Sequence, residues 1–360
     1  MDRPRHGGNL TWAASIASCP VTALTDFSAS INPLGTPSRV LAAIIDGTSQ
    51  LAAYPDPEYR ELRSQLGQHH QLPPEFILPG NGSAELLTWA GRELAQQKFT
   101  YLITPAFRDY QRALEAFDGS IRACPLSLSL HQEQDQPTLD LPLPQSPAAE
   151  SGLLLNNPHN PTGKLWTKDE IEPYLLQFSL VVIDEAFMDF LTPSQSQSLI
   201  SLVPDYPNLV ILRSLTKFYS LPGLRIGYAI AHPSRIARWR SWRDPWSVNT
   251  LAVVAAIAAI QDQEFQQQTW DWLLTARPQL KEQLRAISGL MPFDGAANYL
   301  LVKSDYSVSW LQEQLLKQDQ LLIRDCLSFP ELGDRFFRIA VRLPADNQRL
   351  VTAITRIIEQ

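Results

Sequence analysis

Between residues 76 and 231 the chain alternates short, unbroken apolar runs with stretches of helical spacing. Phe76-Ile-Leu78, Tyr101-Leu-Ile103, Gly152-Leu-Leu-Leu155, Leu180-Val-Val-Ile183, Leu209-Val-Ile-Leu212 and Ile226-Gly-Tyr-Ala-Ile230 carry no polar face. Such runs read as strands buried on both sides, and their alternation with helices predicts a mostly parallel α/β sheet. A helix is expected from Ser83 to about Gln97 and another after Tyr110. Ahead of this region helical spacing covers Trp12 to Ser18, Ser38 to Asp46 behind a Ser cap, and Glu58 to Gln68. Tyr54-Pro-Asp-Pro57 holds the chain extended before the last of these. Residues 128–150, rich in Pro, Gln and Ser, read as a long surface connection. Beyond Ile230 the alternation weakens. Two helical stretches fill about Asn249 to Ser288, and strands at 298–302, 321–324 and 336–341 with a helix over 345–359 describe a smaller α+β unit.

With 360 residues there is room for one large and one small domain. The formal charge of −7 gives nucleic-acid binding no global support, so anionic ligands would need locally placed arginines. The longest apolar run, Leu251 to Ile260, is too short to span a bilayer and fits a buried helix. The amino-terminal residues lack the apolar core of a signal peptide, and Cys19, Cys124 and Cys326 are widely spaced. A cytoplasmic protein with reduced thiols is the expectation. His69-His70 has no carboxylate or cysteine at ligand spacing and reads as a helix end, so no metal is expected.

The chemistry gathers at strand ends, where open α/β sheets place ligands. The run 152–155 ends in Asn156-Asn-Pro-His-Asn160-Pro-Thr-Gly163, the run 180–183 in Asp184-Glu-Ala-Phe187, and the run 209–212 in Ser214-Leu-Thr-Lys217. A lysine leaving a buried strand among small hydroxyl residues can lose its proton and attack a carbonyl. Ser214, Thr216 and Arg225 offer donors for a phosphate. Gly82-Ser83-Ala84 at a helix N-terminus adds free backbone N–H groups of the right sign. An aldehyde that also carries a phosphate describes pyridoxal 5′-phosphate. Asp184 would then pair with the pyridine nitrogen, Asn160 would donate to the ring's phenolic oxygen, and Phe107 would stack on the ring.

The order Gly82-Ser83, Phe107, Asn160, Asp184, Lys217, Arg225 resembles the fold-type-I pyridoxal-phosphate enzymes, the aminotransferase superfamily, across most of the chain. That resemblance implies a large cofactor domain (38–245), a small domain (246–360) joined by an amino-terminal arm (1–37), and a homodimer in which Tyr54 reaches the partner's cofactor phosphate. One departure is Phe187, where most relatives have a tyrosine whose hydroxyl also bonds the phenolic oxygen. Ile323-Arg324-Asp325 and Phe337-Arg338-Ile-Ala-Val are similar to histidinol-phosphate aminotransferases, whose arginines there bind substrate anions. His6-Gly-Gly-Asn9, Asp26-Phe-Ser-Ala-Ser-Ile-Asn32-Pro-Leu-Gly35 and Arg338-Ile-Ala-Val-Arg342 resemble the threonine-phosphate decarboxylases of cobalamin synthesis, although asparagine is commoner where Ser30 stands. The resemblance implies decarboxylation of L-threonine O-3-phosphate to (R)-1-aminopropan-2-yl phosphate, with histidinol-phosphate aminotransfer as the alternative. His6, Asn32, Asn160, Arg324 and Arg338 are its expected substrate contacts and Lys217 its catalytic residue.

Overall fold

The computed structural model describes residues 3–4, 6–128, 137, 139–148 and 150–359. After β1 (Thr25–Asp26) come β2 (Ile77–Asn81), β3 (Thr100–Thr104), β4 (Ile121–Pro125), β5 (Gly152–Asn156), β6 (Leu180–Asp184), β7 (Leu209–Ser214) and β8 (Ile226–Ala231). β2 to β8 form one sheet in the order β2-β8-β7-β6-β5-β3-β4. Its pairs from β4 to β7 are parallel, and β8 runs against both β7 and β2. The apolar runs lie in its middle because both faces are covered. On β6, Leu180 and Val182 enter one apolar cluster while Val181 and Ile183 enter another on the opposite side. Each such side chain contributes about 1.5–3 kcal/mol when fully buried. β4 was not expected from the sequence; it is an edge strand whose Arg122, Ala123 and Pro125 face solvent, so it lacks a continuous apolar run.

The carboxyl-terminal part adds β9 (Leu290–Pro292), β10 (Tyr299–Ser304), β11 (Leu321–Leu322), β12 (Arg324–Asp325) and β13 (Phe336–Ala340). Four of these make an antiparallel sheet, β12-β13-β10-β9. The expected single strand at 321–324 is divided: β11 pairs in parallel with β1, and β12 turns into the other sheet. The break at Ile323 sets Arg324 directly across from Arg338.

Local chemistry moves several other boundaries. The helix expected from Glu58 begins at Arg60, because the Asp56 carboxylate accepts from the N–H groups of Glu58 and Arg60 (both 3.0 Å) and Tyr59 takes a left-handed conformation. It continues through His69 and His70, and His70 Nε2 is 2.8 Å from the Tyr228 hydroxyl. Ser38 is the first residue of its helix rather than its cap, with Pro37 before it. The connection over 128–150 is not confined to the surface: Leu139 and Leu143 are buried, and the Leu139 carbonyl accepts from Trp166 Nε1 (3.0 Å). Residues 129–136, 138 and 149 of that connection lie outside the described residues. A helix at Pro233–Trp242, unforeseen, packs Ile236 and Trp239 under the sheet. The apolar stretch after Asn249 is the helix Thr250–Ile260, seated against Ser38–Gly47, where a Cβ on Gly47 would come within 2.8 Å of Val254.

Candidate active site

Parallel register brings the polar strand ends to one edge of the large sheet. Asn156 is level with Asp184, and Ser214 is level with Gly227 at the start of β8. A cavity of about 300 Å³ opens there, facing β12 and β13 of the smaller sheet. Lys217 enters it from the short helix Leu215–Phe218, whose first turn is capped by Ser214 Oγ. The lysine Nζ donates to Ser214 Oγ (3.1 Å), which also lies 2.8 Å from Thr216 Oγ1. Ser214 and Thr216 thus sit behind the amine and steady it, outside the cavity wall. Burial pulls the Lys217 pKa below its ordinary value. Asp184 opposes that shift, while Arg225 and Arg338 add to it.

Asp184 projects from the end of β6. The Tyr110 hydroxyl donates to its Oδ2 (2.8 Å) and the Ala186 N–H to its Oδ1 (3.0 Å). Burial raises the carboxyl pKa, and Lys217, Tyr110 and the Ala186 N–H each resist the rise. Asn156 Nδ2 donates to the Asp184 carbonyl (2.7 Å), and Asn156 Oδ1 accepts from the backbone N–H of Asn160 (2.6 Å). These two bonds lock the Asn160 turn against the end of β6. Asn160 Oδ1 accepts from Arg338 Nη1, which leaves the amide NH₂ as the group with a free donor.

Beside them, helix Ser83–Leu94 begins without a side-chain cap, and Ser83 and Ala84 line the cavity. Gly82 has φ +75°, and a Cβ there would stand 2.6 Å from Arg225 Nη2. A Cβ on Gly227 would approach Ser83 N at 2.7 Å. Two glycines therefore let a guanidinium and uncovered helix N–H groups converge, which is an anion cradle. Buried amine, buried carboxylate and cradle together match the carbonyl, ring nitrogen and phosphate of pyridoxal phosphate.

On the small-sheet side, Arg324 Nη2 donates to Ser328 Oγ (2.6 Å) and Nη1 to the Pro4 carbonyl (3.3 Å). Arg338 Nη2 donates to the Ser28 carbonyl (3.2 Å), its guanidinium lies 5.0 Å from the Tyr299 ring centroid, and its buried Nε has no hydrogen-bond partner among the described residues. Burial lowers the pKa of both arginines. His6 lines the cavity and meets Phe107 edge-on at 5.7 Å. Phe187 lies 5.6 Å from Lys217 Nζ and brings no hydroxyl. Besides Ser214 and Thr216, Asn32 and Tyr54 do not line the cavity. Asn32 is buried outside the cavity, where Nδ2 donates to the Phe218 carbonyl (2.9 Å) and Thr269 Oγ1 (2.8 Å) and Oδ1 accepts from Leu34 N–H (3.1 Å). Its polar atoms are engaged in holding the loop between the arm and the lysine segment. Ser30, two residues earlier, lines the cavity with a buried hydroxyl that has no hydrogen-bond partner among the described residues. Tyr54 is 80% exposed and packs on Trp246 at 4.6 Å, remote from this chain's own cavity.

Tyr110 and Asn156 were missed in the sequence. Tyr110 lies three residues past Phe107, at the spacing that puts both on one helical face, and that was the available signal. Among the described residues no group of three or more metal-ligating side chains occurs, and no helix is long and apolar enough to cross a membrane.

The family model for aminotransferase class I and II matches residues 22–354. The chain is 37% identical over 359 residues to the threonine-phosphate decarboxylase of Salmonella typhimurium, covering 98% of this chain and 96% of that one. It is 33% identical to the histidinol-phosphate aminotransferase of Symbiobacterium thermophilum, covering 90% and 87%. In fold it is similar to the histidinol-phosphate aminotransferase of Sinorhizobium meliloti solved with pyridoxal 5′-phosphate, with a TM-score of 0.83 at 21% identity over 98% of this chain and 95% of that one.

Proposed function

The chain belongs to the aminotransferase class I and II family, and from that premise we propose that it decarboxylates L-threonine O-3-phosphate with pyridoxal 5′-phosphate, giving (R)-1-aminopropan-2-yl phosphate for cobalamin synthesis. The observation that carries the reading is the facing pair Arg324 and Arg338 on β12 and β13, both lining the cavity with Lys217. Like charges directly opposite on neighbouring strands repel. Their convergence in a cavity is relieved by a substrate bearing a compact anion. Greater similarity to a decarboxylase than to an aminotransferase over nearly the whole length favours carbon dioxide loss.

When bound, the cofactor supplies a carbonyl for amine exchange and a ring that accepts the electron pair of the breaking bond. Lys217 is the residue for that carbonyl, and its amine moves the proton at the substrate's α-carbon. Asp184, held by Tyr110 and the Ala186 N–H, keeps the ring nitrogen protonated. Ser83, Ala84 and Arg225 would hold the cofactor phosphate, Phe107 would cover the ring, and Asn160 would donate to the phenolic oxygen alone, since Phe187 cannot. Arg324, Arg338 and His6 would grip the substrate phosphate and so orient the substrate for loss of its carboxylate rather than of its α-hydrogen. Binding energy from the remote phosphate sets the geometry of the reacting carbon.

The working unit in this reading is a cytoplasmic homodimer with domains at 38–245 and 246–360 and an arm at 1–37. The arm pairs β1 with β11 and packs Trp12 on Leu316. Purified protein given threonine phosphate releases carbon dioxide without an amino acceptor, and borohydride reduction leaves the cofactor on a peptide containing Lys217. Amino transfer from histidinol phosphate to an oxo acid, with no carbon dioxide from threonine phosphate, overturns the reading. So does an analogue complex with its carboxylate, not its phosphate, paired to Arg338.

A further inference from the structure

The cavity wall holds more positive charge than the scheme above uses. Its cations are Lys217, Arg225, Arg324, Arg338 and Arg108, with His6 titratable beside them, against the carboxylates of Asp109 and Asp184. Asp184 stands opposite Lys217. Asp109 pairs with Arg112 one turn along its own helix. Arg225 belongs to the cradle at Gly82. Arg108 is half-buried, and among the described residues its guanidinium makes no hydrogen bond, ion pair or ring contact. It follows Phe107, which meets His6, and the strap that carries His6 is tied at Pro4 to Arg324. Arg108 therefore enters from the large-domain wall beside the groups assigned to the substrate's phosphate.

We propose that Arg108 is a specificity residue for the substrate's phosphomonoester, closing on it across the cavity from Arg324. This rests on the reading of the substrate given above and adds a contact to it. A partly desolvated guanidinium with no counter-charge gains from a dianion, and its planar fork suits two phosphate oxygens. A phosphomonoester gripped from both walls is distinguished from a carboxylate or a free hydroxyl by charge and by reach. Free threonine, lacking the dianion, leaves Arg108, Arg324 and Arg338 facing one another.

The test uses the cofactor-loaded enzyme with R108A and R108K. A charge-assisted hydrogen bond contributes about 1.5–3 kcal/mol, roughly ten- to a hundredfold. R108A is expected to raise KM for threonine phosphate by about that factor with a smaller change in kcat. It lowers the preference for threonine phosphate over threonine, and R108K recovers part of the loss. Calorimetric titration with inorganic phosphate is the second readout, and R108A is expected to weaken that binding at least about tenfold. Unchanged phosphate affinity and unchanged preference in both variants overturn the assignment of Arg108 while leaving the reaction intact. A wild-type enzyme inactive on threonine phosphate overturns the reaction, and the phosphate titration then still decides Arg108.

Discussion

At the scale of single residues, the site depends on groups whose ordinary ionisation is shifted by burial and then partly restored by a neighbour. Asp184 would drift toward its neutral form in its enclosed position, yet Tyr110, the Ala186 N–H and Lys217 favour the carboxylate. A carboxylate–pyridinium pair at about 3 Å and an effective dielectric near 20 is worth on the order of 5 kcal/mol before desolvation. If somewhat over half survives desolvation, D184N lowers kcat by about a hundredfold or more, and stopped-flow turnover with bound cofactor confirmed by absorbance checks it. His159 shows the same physics without catalysis. It is buried against Trp166, its Nδ1 lies 2.8 Å from Thr162 Oγ1, and burial lowers its pKa to about 3. The folded chain keeps this imidazole neutral while the unfolded chain protonates it below about 6.5. Its contribution is therefore complete above that pH and is lost as pH falls from about 6.5 to 3. Two units of that window amount to about 2.7 kcal/mol. Urea unfolding at pH 7.5 and 4.5 is expected to show wild type losing more than H159N, by about 2–3 kcal/mol; parallel losses contradict this.

At the scale of elements, the ends of strands and the starts of helices set the chemistry. The cradle exists because Gly82 takes a left-handed φ just before an uncapped helix, so Arg225 can close on the first turn. G82A adds about 1–3 kcal/mol of backbone strain and displaces the Arg225 guanidinium. Cofactor affinity is expected to fall at least about tenfold, measured by fluorescence titration of the apo-protein; unaltered affinity would move the phosphate elsewhere. The break after β11 is equally consequential. Had 321–324 continued as one strand paired with β1, Arg324 would not stand across from Arg338.

At the scale of the whole molecule, apolar side chains are exposed on the helix Ser38–Gly47, just after it, and at Trp246. Leu41, Ile45, Leu51, Tyr54 and Trp246 are 48%, 68%, 59%, 80% and 45% exposed. Scattered exposed apolar residues are ordinary, but Tyr54 and Trp246 pack at a 31° tilt and Leu41 and Ile45 share one helix. In the dimeric reading this surface is covered by the second subunit, and Tyr54 is carried to the partner's cradle. I45E is expected to shift sedimentation toward monomer and, by removing Tyr54 from the neighbouring site, to weaken cofactor retention together with dimerisation. A wild-type chain that sediments as a monomer while remaining fully active overturns the shared-site arrangement.

The sequence by itself determined the alternation of buried strands and helices, the polar residues at three strand ends, and the lysine, aspartate and asparagine among them. Those features are local: continuous apolar runs need two covered faces, and a polar residue closing such a run stands at a sheet edge. Only the tertiary structure decided which side chains share a cavity. Asn32 looks like a site residue in its motif, yet its amide is taken by Phe218 and Thr269, 186 and 237 positions away. Tyr110 reaches Asp184 across 74 positions, and Arg324 faces Arg338 only through a strand break that the apolar pattern 321–324 conceals. Such pairings are chosen by packing and by satisfying buried polar groups over long separations, and no local periodicity encodes them.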